Sequence, residues 1–434
     1  MASTEMFPES RYRKTEGLGV WEHRGKVAIV GLGNSPTSRR WDGTLETSLG
    51  AWTMLAAQKA LDEAGITVDD VDGVISCDKG MGDDWGGDAS QGRGYFEAPY
   101  DSEDGLSGVS AHWLVKNMGL KNVNMTYHAP GCLSTALVAA AQAVGDGEAH
   151  TVLVVRGTGN MPGRYHQTPG NTTGGNGQWT NPWGWQLIPQ IAFGFDQYCR
   201  TYGKNHDMMA PFILNQRRNG SMFPEGFYYQ NRPDDLQITA EDYLASRWIC
   251  KPMNMNDCDL PIQTAGAFLF TTAERAKDMK KKPVYVLNHV TQRGVVRSSL
   301  ETMAETEEFS AHIARKCYEG SGLTASEVDV FNPYDGFTLF TQWFLEGFGW
   351  HGVKRGEAHD FYGDDIRVEG PHPFSSSGGN NGNGRTRWWG YWDSIQQLRG
   401  EAGERQVKVR AETAIAGAFT PGHSDWLVLG TSPD

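Results

Sequence analysis

"LAAQKALDEAGITVDDVDGVIS" (Leu55–Ser76) and "HIARKCYEGSGLTASEVDVFNPY" (His312–Tyr334) carry the same grammar twice. Each reads as a helix, a Gly stop, a Thr-led acidic turn and a strand. Gly65, Thr67, Val71 and Asp72 correspond in register to Gly322, Thr324, Val328 and Asp329. The strands ahead of them, "KVAIVGLG" at Lys26 and "KPVYVLNHV" at Lys282, fall at the same offset, with Val27 matching Val284. A looser match follows, "AAQAVGDGEAHTVLVV" (Ala140–Val155) against "SIQQLRGEAGERQVKVRAETAIAG" (Ser394–Gly417). Both read helix, Gly-rich turn, strand. Common spacing over several elements predicts a duplicated α/β chain, each half a mixed sheet covered by helices.

The 434 residues suffice for two or three domains. The net charge of −13, from 52 acidic and 39 basic residues without any Lys/Arg-rich run, excludes a broad nucleic-acid footprint. One anionic ligand held by local arginines remains compatible with it. The N-terminal "MASTEMFPESRYRKTEGLG" is too polar for a secretory signal, and no apolar run spans a bilayer, so a cytoplasmic chain without a membrane span is expected. The six cysteines form no C-x-x-C pair, which argues for reduced thiols and no metal site. Between the halves lies "GTGNMPGRYHQTPGNTTGGNGQWTNPWGWQ" (157–186), whose Trp179, Trp183 and Trp185 suit a lid or apolar pocket wall. "DKGMGDDWGGDASQGRGYFEAPYDSEDG" (78–105) reads as an acidic surface insertion. "GLGNSP" at Gly31 begins like a dinucleotide fingerprint but lacks the third Gly, and a first-strand turn explains it.

"TYHAPGCLSTALVAAAQ" sets Cys132 after a Pro-Gly turn and before a helix of small residues. Such a helix start favours a thiolate nucleophile, and it equally suits a small core residue. Duplicated halves with a cysteine at this turn resemble the thiolase superfamily. "EDYLASRWICKPMNMNDC" and "AGAFLFTTAERAKDM" resemble the middle of the sterol-carrier-protein-type thiolases. "YDGFTLFTQWFLEGFGW" and "QLRGEAGERQV" resemble their lipid-transfer-protein relatives, including bacterial steroid side-chain aldolases. The resemblance runs from about Lys26 to Gly430. It implies an α/β fold of duplicated halves in a layered α-β-α-β-α arrangement with a large loop domain. The expected divisions are 26–155 plus 256–281 for the N-terminal half, 156–255 for a loop or cap region, and 282–434 for the C-terminal half.

The resemblance also exposes departures. A condensing thiolase uses a Gly-His-Pro histidine as base, a second cysteine near the C-terminus, and an Asn or His before an acidic residue. Here Tyr334 of "NPYDGF" takes the Asn/His place, as in the "YD-x-FT" of the steroid aldolases. Its candidate role is proton transfer, although an ordinary phenol pKa near 10 makes a poor base; a packed tyrosine is the alternative. The Gly-His-Pro place falls near Asn381, and His372-Pro373 precedes it as a loop. Asn380 and Asn381 suit donation to a thioester oxygen, not base catalysis. Arg385 and Arg387 suit a carboxylate or phosphate, or a structural pair with Asp393. "AIAGAFTPGHSDWLVLG" holds no cysteine; His423 is a substitute base or a structural loop residue, and the Gly417 backbone is a candidate enolate support.

The expected activity is therefore cleavage or formation of a carbon–carbon bond in a CoA thioester. Retro-aldol cleavage of a bulky β-hydroxyacyl-CoA, such as a steroid side-chain thioester, fits the missing base. Thiolase-type acyl transfer through Cys132 and non-catalytic acyl-CoA or lipid binding are the alternatives. Coenzyme A enters as part of the substrate, with no tightly bound cofactor. A homodimer and a small zinc-ribbon OB-fold partner are implied by the resemblance alone.

Overall fold

The computed structural model describes residues 19–77, 105–106, 108–129, 133–159, 187–293 and 302–434. Cys132, the three tryptophans of the 157–186 loop and nearly all of the acidic insertion lie outside the described residues. The first half comprises β1 (Val27–Asn34), α1 (Leu49–Ala64), β2 (Gly73–Ser76), α2 (Ala111–Met118), β3 (Met125–His128), α3 (Leu133–Asp146) and β4 (Thr151–Thr158). Helices α4 (Leu187–Tyr202) and α5 (Ala210–Gly220) follow before β5 (Thr264–Thr272). The second half comprises β6 (Val284–Arg293), α6 (Met303–Ser321), β7 (Val330–Asn332), α7 (Leu339–Phe348), α8 (Gly379–Asn383), α9 (Trp389–Arg399), β8 (Thr413–Thr420) and β9 (His423–Gly430).

One nine-stranded sheet runs β3-β2-β4-β5-β1-β6-β9-β8-β7. Its middle is an antiparallel joint of three pairs, Val27 with Val286, Ala28 with Tyr285 and Ile29 with Val284. Outward from this joint the two halves repeat the same order. β2 lies parallel to β4 as β7 does to β8, and the remaining matched contacts are antiparallel. The parallel β2–β3 ladder has only one counterpart pair, an isolated bridge between Phe331 and Phe374.

The repeated residues do repeated work. Gly65 and Gly322 both end their helices at φ 75°, a left-handed cap that glycine adopts without a Cβ penalty. Thr67 with Asp70, and Thr324 with Glu327, form matching capping boxes. Asp72 accepts from the backbone N–H groups of His150 and Thr151 (3.0 and 2.7 Å). Asp329 accepts from those of Glu412 and Thr413 (2.9 and 3.1 Å). Each acid thus fixes the start of the strand beside it.

Helix α1 covers β1, β4 and β5, and α6 covers β6 and β9. Helix α3 touches strands of both halves, and α9 packs on β7 and β8 while Trp392 meets Phe268 of β5 edge-on. These two form the central layer of the α-β-α-β-α arrangement. The small buried residues Ser134, Ala136, Ala140 and Ala141 let α3 pass closely between its neighbours. "GLG" has a packing reason too. A Cβ on Gly33 would lie 1.8 Å from the Ala56 carbonyl of α1.

Candidate active site

The site is built from the end of β7. Pro333 cannot extend the ladder, and Tyr334 and Asp335 leave the strand on opposite errands. The Asp335 carboxylate accepts from the backbone N–H groups of Asn380 (2.6 Å) and Asn381 (3.0 Å) and from Gln216 Nε2 (3.0 Å). Gly378 and Gly379, at φ 72° and 56°, turn the chain so that both N–H groups converge. A Cβ on Gly379 would sit 2.0 Å from Asp335 Oδ2. Burial pushes the Asp335 carboxyl up to about 6 against the pull of these bonds. Asp335 is a buried anchor. Tyr334 is buried as well, stacked on Phe340 (centroids 6.4 Å) and tilted against Phe419 (5.9 Å).

Phe419 is the hub. It sits at φ 91°, a strained conformation for a bulky residue. The Arg387 guanidinium lies over its ring at 4.5 Å, and His423 meets it edge-on at 6.1 Å. Burial, then the Arg293 charge, holds the His423 imidazole below its ordinary value, Arg387 adding to this and Asp425 opposing it. Two residues along β9, buried Asp425 accepts from Thr135 (2.8 Å), Ser134 (3.2 Å), Thr291 (2.9 Å) and Arg293 (3.0 Å). This carboxylate ties the first turn of α3, immediately after position 132, to the strand that carries His423. Tyr334, Arg387 and His423 are therefore gathered around one ring beside the start of α3.

The other candidates are dispersed. Arg385 Nε lies 3.8 Å from Asp259 Oδ1, and Arg385 N donates to the Leu260 carbonyl (2.8 Å). Neither arginine pairs with Asp393, contrary to one expectation. Asp393 faces inward from α9, where Arg405 pairs with it and Ser376 (2.6 Å) donates to it. Asn380 Oδ1 accepts from Thr386 N and Arg387 N, and Asn381 Nδ2 donates to the Asn256 carbonyl at 2.5 Å. Both amides thus brace the Ser-Gly-Gly turn. Gly417 lies under Trp426, where a Cβ would fall 2.1 Å from the ring, so packing explains the glycine. His372 lies tilted against His351 (ring centroids 4.6 Å) in a separate loop. Arg39 has its guanidinium held below its ordinary value by burial and by the charges of Arg232 and Arg385, which marks a basic cluster near Pro261.

Residues 294–424 match the family described as thiolase C-terminal domain-like. An Ltp2-ChsH2(DUF35) aldolase superposes with a TM-score of 0.74 at 23% identity, covering 94% of this chain and 98% of that one. The chain has the thiolase fold, with the family match confined to its C-terminal part. A monomeric SCP2-thiolase-like protein type 1 from Mycobacterium smegmatis superposes at 0.62 and 15% identity, over 95% of this chain and 79% of that one. By sequence, the 17-hydroxy-3-oxo-4-pregnene-20-carboxyl-CoA lyase of Mycobacterium tuberculosis is 27% identical over 425 residues, 94% of this chain and 99% of that protein. The steroid side-chain-cleaving aldolase of Thermomonospora curvata is 25% identical over 423 residues, 94% and 98% of the two chains.

Sequence reading missed three carboxylates of this site. Asp335 was visible only as the acid after Tyr334. Asp425 stands two residues beyond His423, a spacing that places both on one face of a strand. Asp259 carries no sequence signal beyond its acidic neighbour Asp257.

Proposed function

We propose that the chain is a carbon–carbon lyase that cleaves a bulky β-hydroxyacyl-CoA by retro-aldol chemistry, a steroid side-chain thioester being the substrate class. The observation that carries this reading is the Tyr334 phenol gathered with His423 and Arg387 around Phe419, while the α8 turn offers amides instead of an imidazole base. The likeness to two steroid side-chain lyases over nearly their full length supports the substrate class. Loss of the β-hydroxyl proton forms a ketone, the Cα–Cβ bond breaks, and its electron pair enters the thioester enolate. N–H groups at the start of α3 and along β8 near Gly417 support that enolate. Reprotonation at the α carbon releases a shortened acyl-CoA. Tyr334 transfers protons, and His423, kept neutral by its surroundings, is the second acid–base candidate. Arg39 and Arg232, with Arg387 nearer the reacting end, suit the CoA phosphates.

The same reading expects coenzyme A only within the substrate, a homodimer, a small zinc-ribbon OB-fold partner and a cytoplasmic location. The name of the Ltp2-ChsH2(DUF35) aldolase, which joins two components, supports a partner. No helix among the described residues is long and apolar enough to cross a membrane. The three-part division at 26–155 plus 256–281, 156–255 and 282–434 belongs to this reading also.

The test is incubation with 17-hydroxy-3-oxo-4-pregnene-20-carboxyl-CoA, with mass spectrometry of products. The expected result is a ketone with a shortened acyl-CoA, retained by Cys132→Ala. Release of free coenzyme A with an acyl adduct on Cys132 would instead establish acyl transfer. Binding without turnover would leave an acyl-CoA binding protein.

A further inference from the structure

The retro-aldol reading leaves a chemical gap. An ordinary phenol is a weak base at neutral pH. Asp335, its sequence neighbour, is turned away and saturated by two backbone N–H groups and Gln216. A different carboxylate lies on the hydroxyl's side. A Cβ built on Gly336 would be 2.0 Å from Tyr334 Oη and 2.7 Å from Asp259 Oδ2, so both oxygens crowd one face of that glycine. This brings them within reach of a direct hydrogen bond or one bridging water.

The approach is built into the fold. Asp259 N–H donates to the Gly336 carbonyl (2.9 Å), fastening residues 256–259 to the loop of Tyr334. Two residues earlier, buried Asp257 accepts from Tyr243 (2.8 Å) and Thr338 (3.0 Å) and pairs with His206 (2.7 Å). Asn256 O receives Asn381 Nδ2. On the far side of Asp259 stands the Arg385 guanidinium, Nε 3.8 Å from Oδ1, with the two side chains 12% and 1% exposed. A buried carboxylate needs such a counter-charge.

We propose that Asp259 is a positioning residue that accepts the Tyr334 phenolic proton, with Arg385 as its counter-charge, so that the three form a proton relay into the reaction site. The inference rests on the retro-aldol reading. In cleavage, the substrate hydroxyl proton passes to Tyr334 Oη as the phenolic proton passes to Asp259 Oδ2. The Cα–Cβ bond breaks and its electron pair enters the thioester enolate. The proton returns from Asp259 through Tyr334 to the enolate carbon, and the enzyme is restored. Arg385 stays protonated throughout.

Asp259→Asn in the full chain, assayed with 17-hydroxy-3-oxo-4-pregnene-20-carboxyl-CoA, is expected to lower kcat about 100-fold with KM within about threefold. It is expected to abolish the acidic limb of the kcat–pH profile, and to add nothing to the loss caused by Tyr334→Phe. Asp259→Glu restores part of kcat. A kcat within about threefold of the unaltered chain, or a loss additive with Tyr334→Phe, overturns the relay. A second readout needs no turnover: an ultraviolet difference titration of the Tyr334 phenol, referenced to Tyr334→Phe. Asp259→Asn removes a neighbouring negative charge and is expected to lower the midpoint; Arg385→Gln keeps the carboxylate and is expected to raise it. Unmoved midpoints overturn the pair, and the Arg385 variant decides alone if Asp259→Asn fails to fold. A chain inert toward the thioester sinks the retro-aldol reading, while the titration still judges the pair.

Discussion

The two halves agree wherever backbone bonds set the frame and part company where the chain leaves the second and third strands. Asp72 and Asp329 hold equivalent strand starts, and Gly65 and Gly322 end equivalent helices. Five residues beyond each acid the halves diverge. The first has Cys77, buried with its thiol 3.8 Å from the Val155 carbonyl. The second has Tyr334, turned among Phe340 and Phe419. At the third strand the first half keeps a four-residue ladder, while the second keeps one bridge and then wraps a Ser-Gly-Gly turn around Asp335. Duplication preserved the scaffold, and the sequence was free to change in the loops at strand ends, where sites are carried.

The strongest way to break this contrast is to exchange function for packing at the matched pair. Tyr334→Phe is expected to lower kcat by about 10²–10⁴-fold with little change in KM, read by steady-state kinetics on the CoA thioester. Cys77→Ala is expected to leave kcat within about twofold and to cost about 1 kcal/mol of stability. Equal catalytic losses would mean that the halves share the chemistry. Next in size is Gly379→Ala. Its Cβ would collide with Asp335 and its φ is left-handed, so a loss of about 3 kcal/mol in denaturant unfolding is expected.

A pH test sharpens the second half's reliance on buried acids. Burial raises Glu346 to about 7; Tyr198 and Ala358 N donate to it. A carboxyl raised above its unfolded value contributes stability that is complete below about pH 4.5 and is lost as pH rises through about 7, some 3 kcal/mol at most. Asp335, raised to about 6, loses its share in the lower part of that window. Glu346→Gln should flatten the melting temperature between about pH 5 and 8; an unchanged slope would remove Glu346 from the account. The smallest effect expected is a difference of nearly zero. Asp72→Ala and Asp329→Ala should each cost about 1–3 kcal/mol and agree within about 1. A wider gap would show that the repeated bonds are equivalent in shape only.

Much of the frame was legible because caps and turns are local. A glycine two residues before a Thr-led acidic box states where a helix ends and a strand begins, whatever lies around it. The third strand of the second half was not legible, since a single Phe331–Phe374 bridge leaves no alternating pattern. At the site, Tyr334, Arg387 and His423 could be nominated by residue type, and the structure brings them together at Phe419. Partners were harder. Asp393 looked close to Arg385 and Arg387 along the chain, but the inward face of α9 gave it to Arg405. Asp259 acquires meaning only when a segment far away in sequence lays Gly336 beside it. Gly417 could be nominated through its backbone N–H, but nothing in sequence announces that Trp426 rests on it and accounts for the missing side chain.

The joint between β1 and β6 is only three pairs wide, yet the central helices lie across it. Asp425 of the second half grips the opening turn of α3, and Arg399 of α9 reaches back to Glu63 of α1 at 3.0 Å. Each half therefore borrows a wall from its twin. A chain severed near residue 281 would yield two fragments, each exposing the floor on which the other's helix rested. What began as two copies now behaves as one indivisible unit: the repeat survives as geometry, and it is no longer a part that can be detached and lent to another protein.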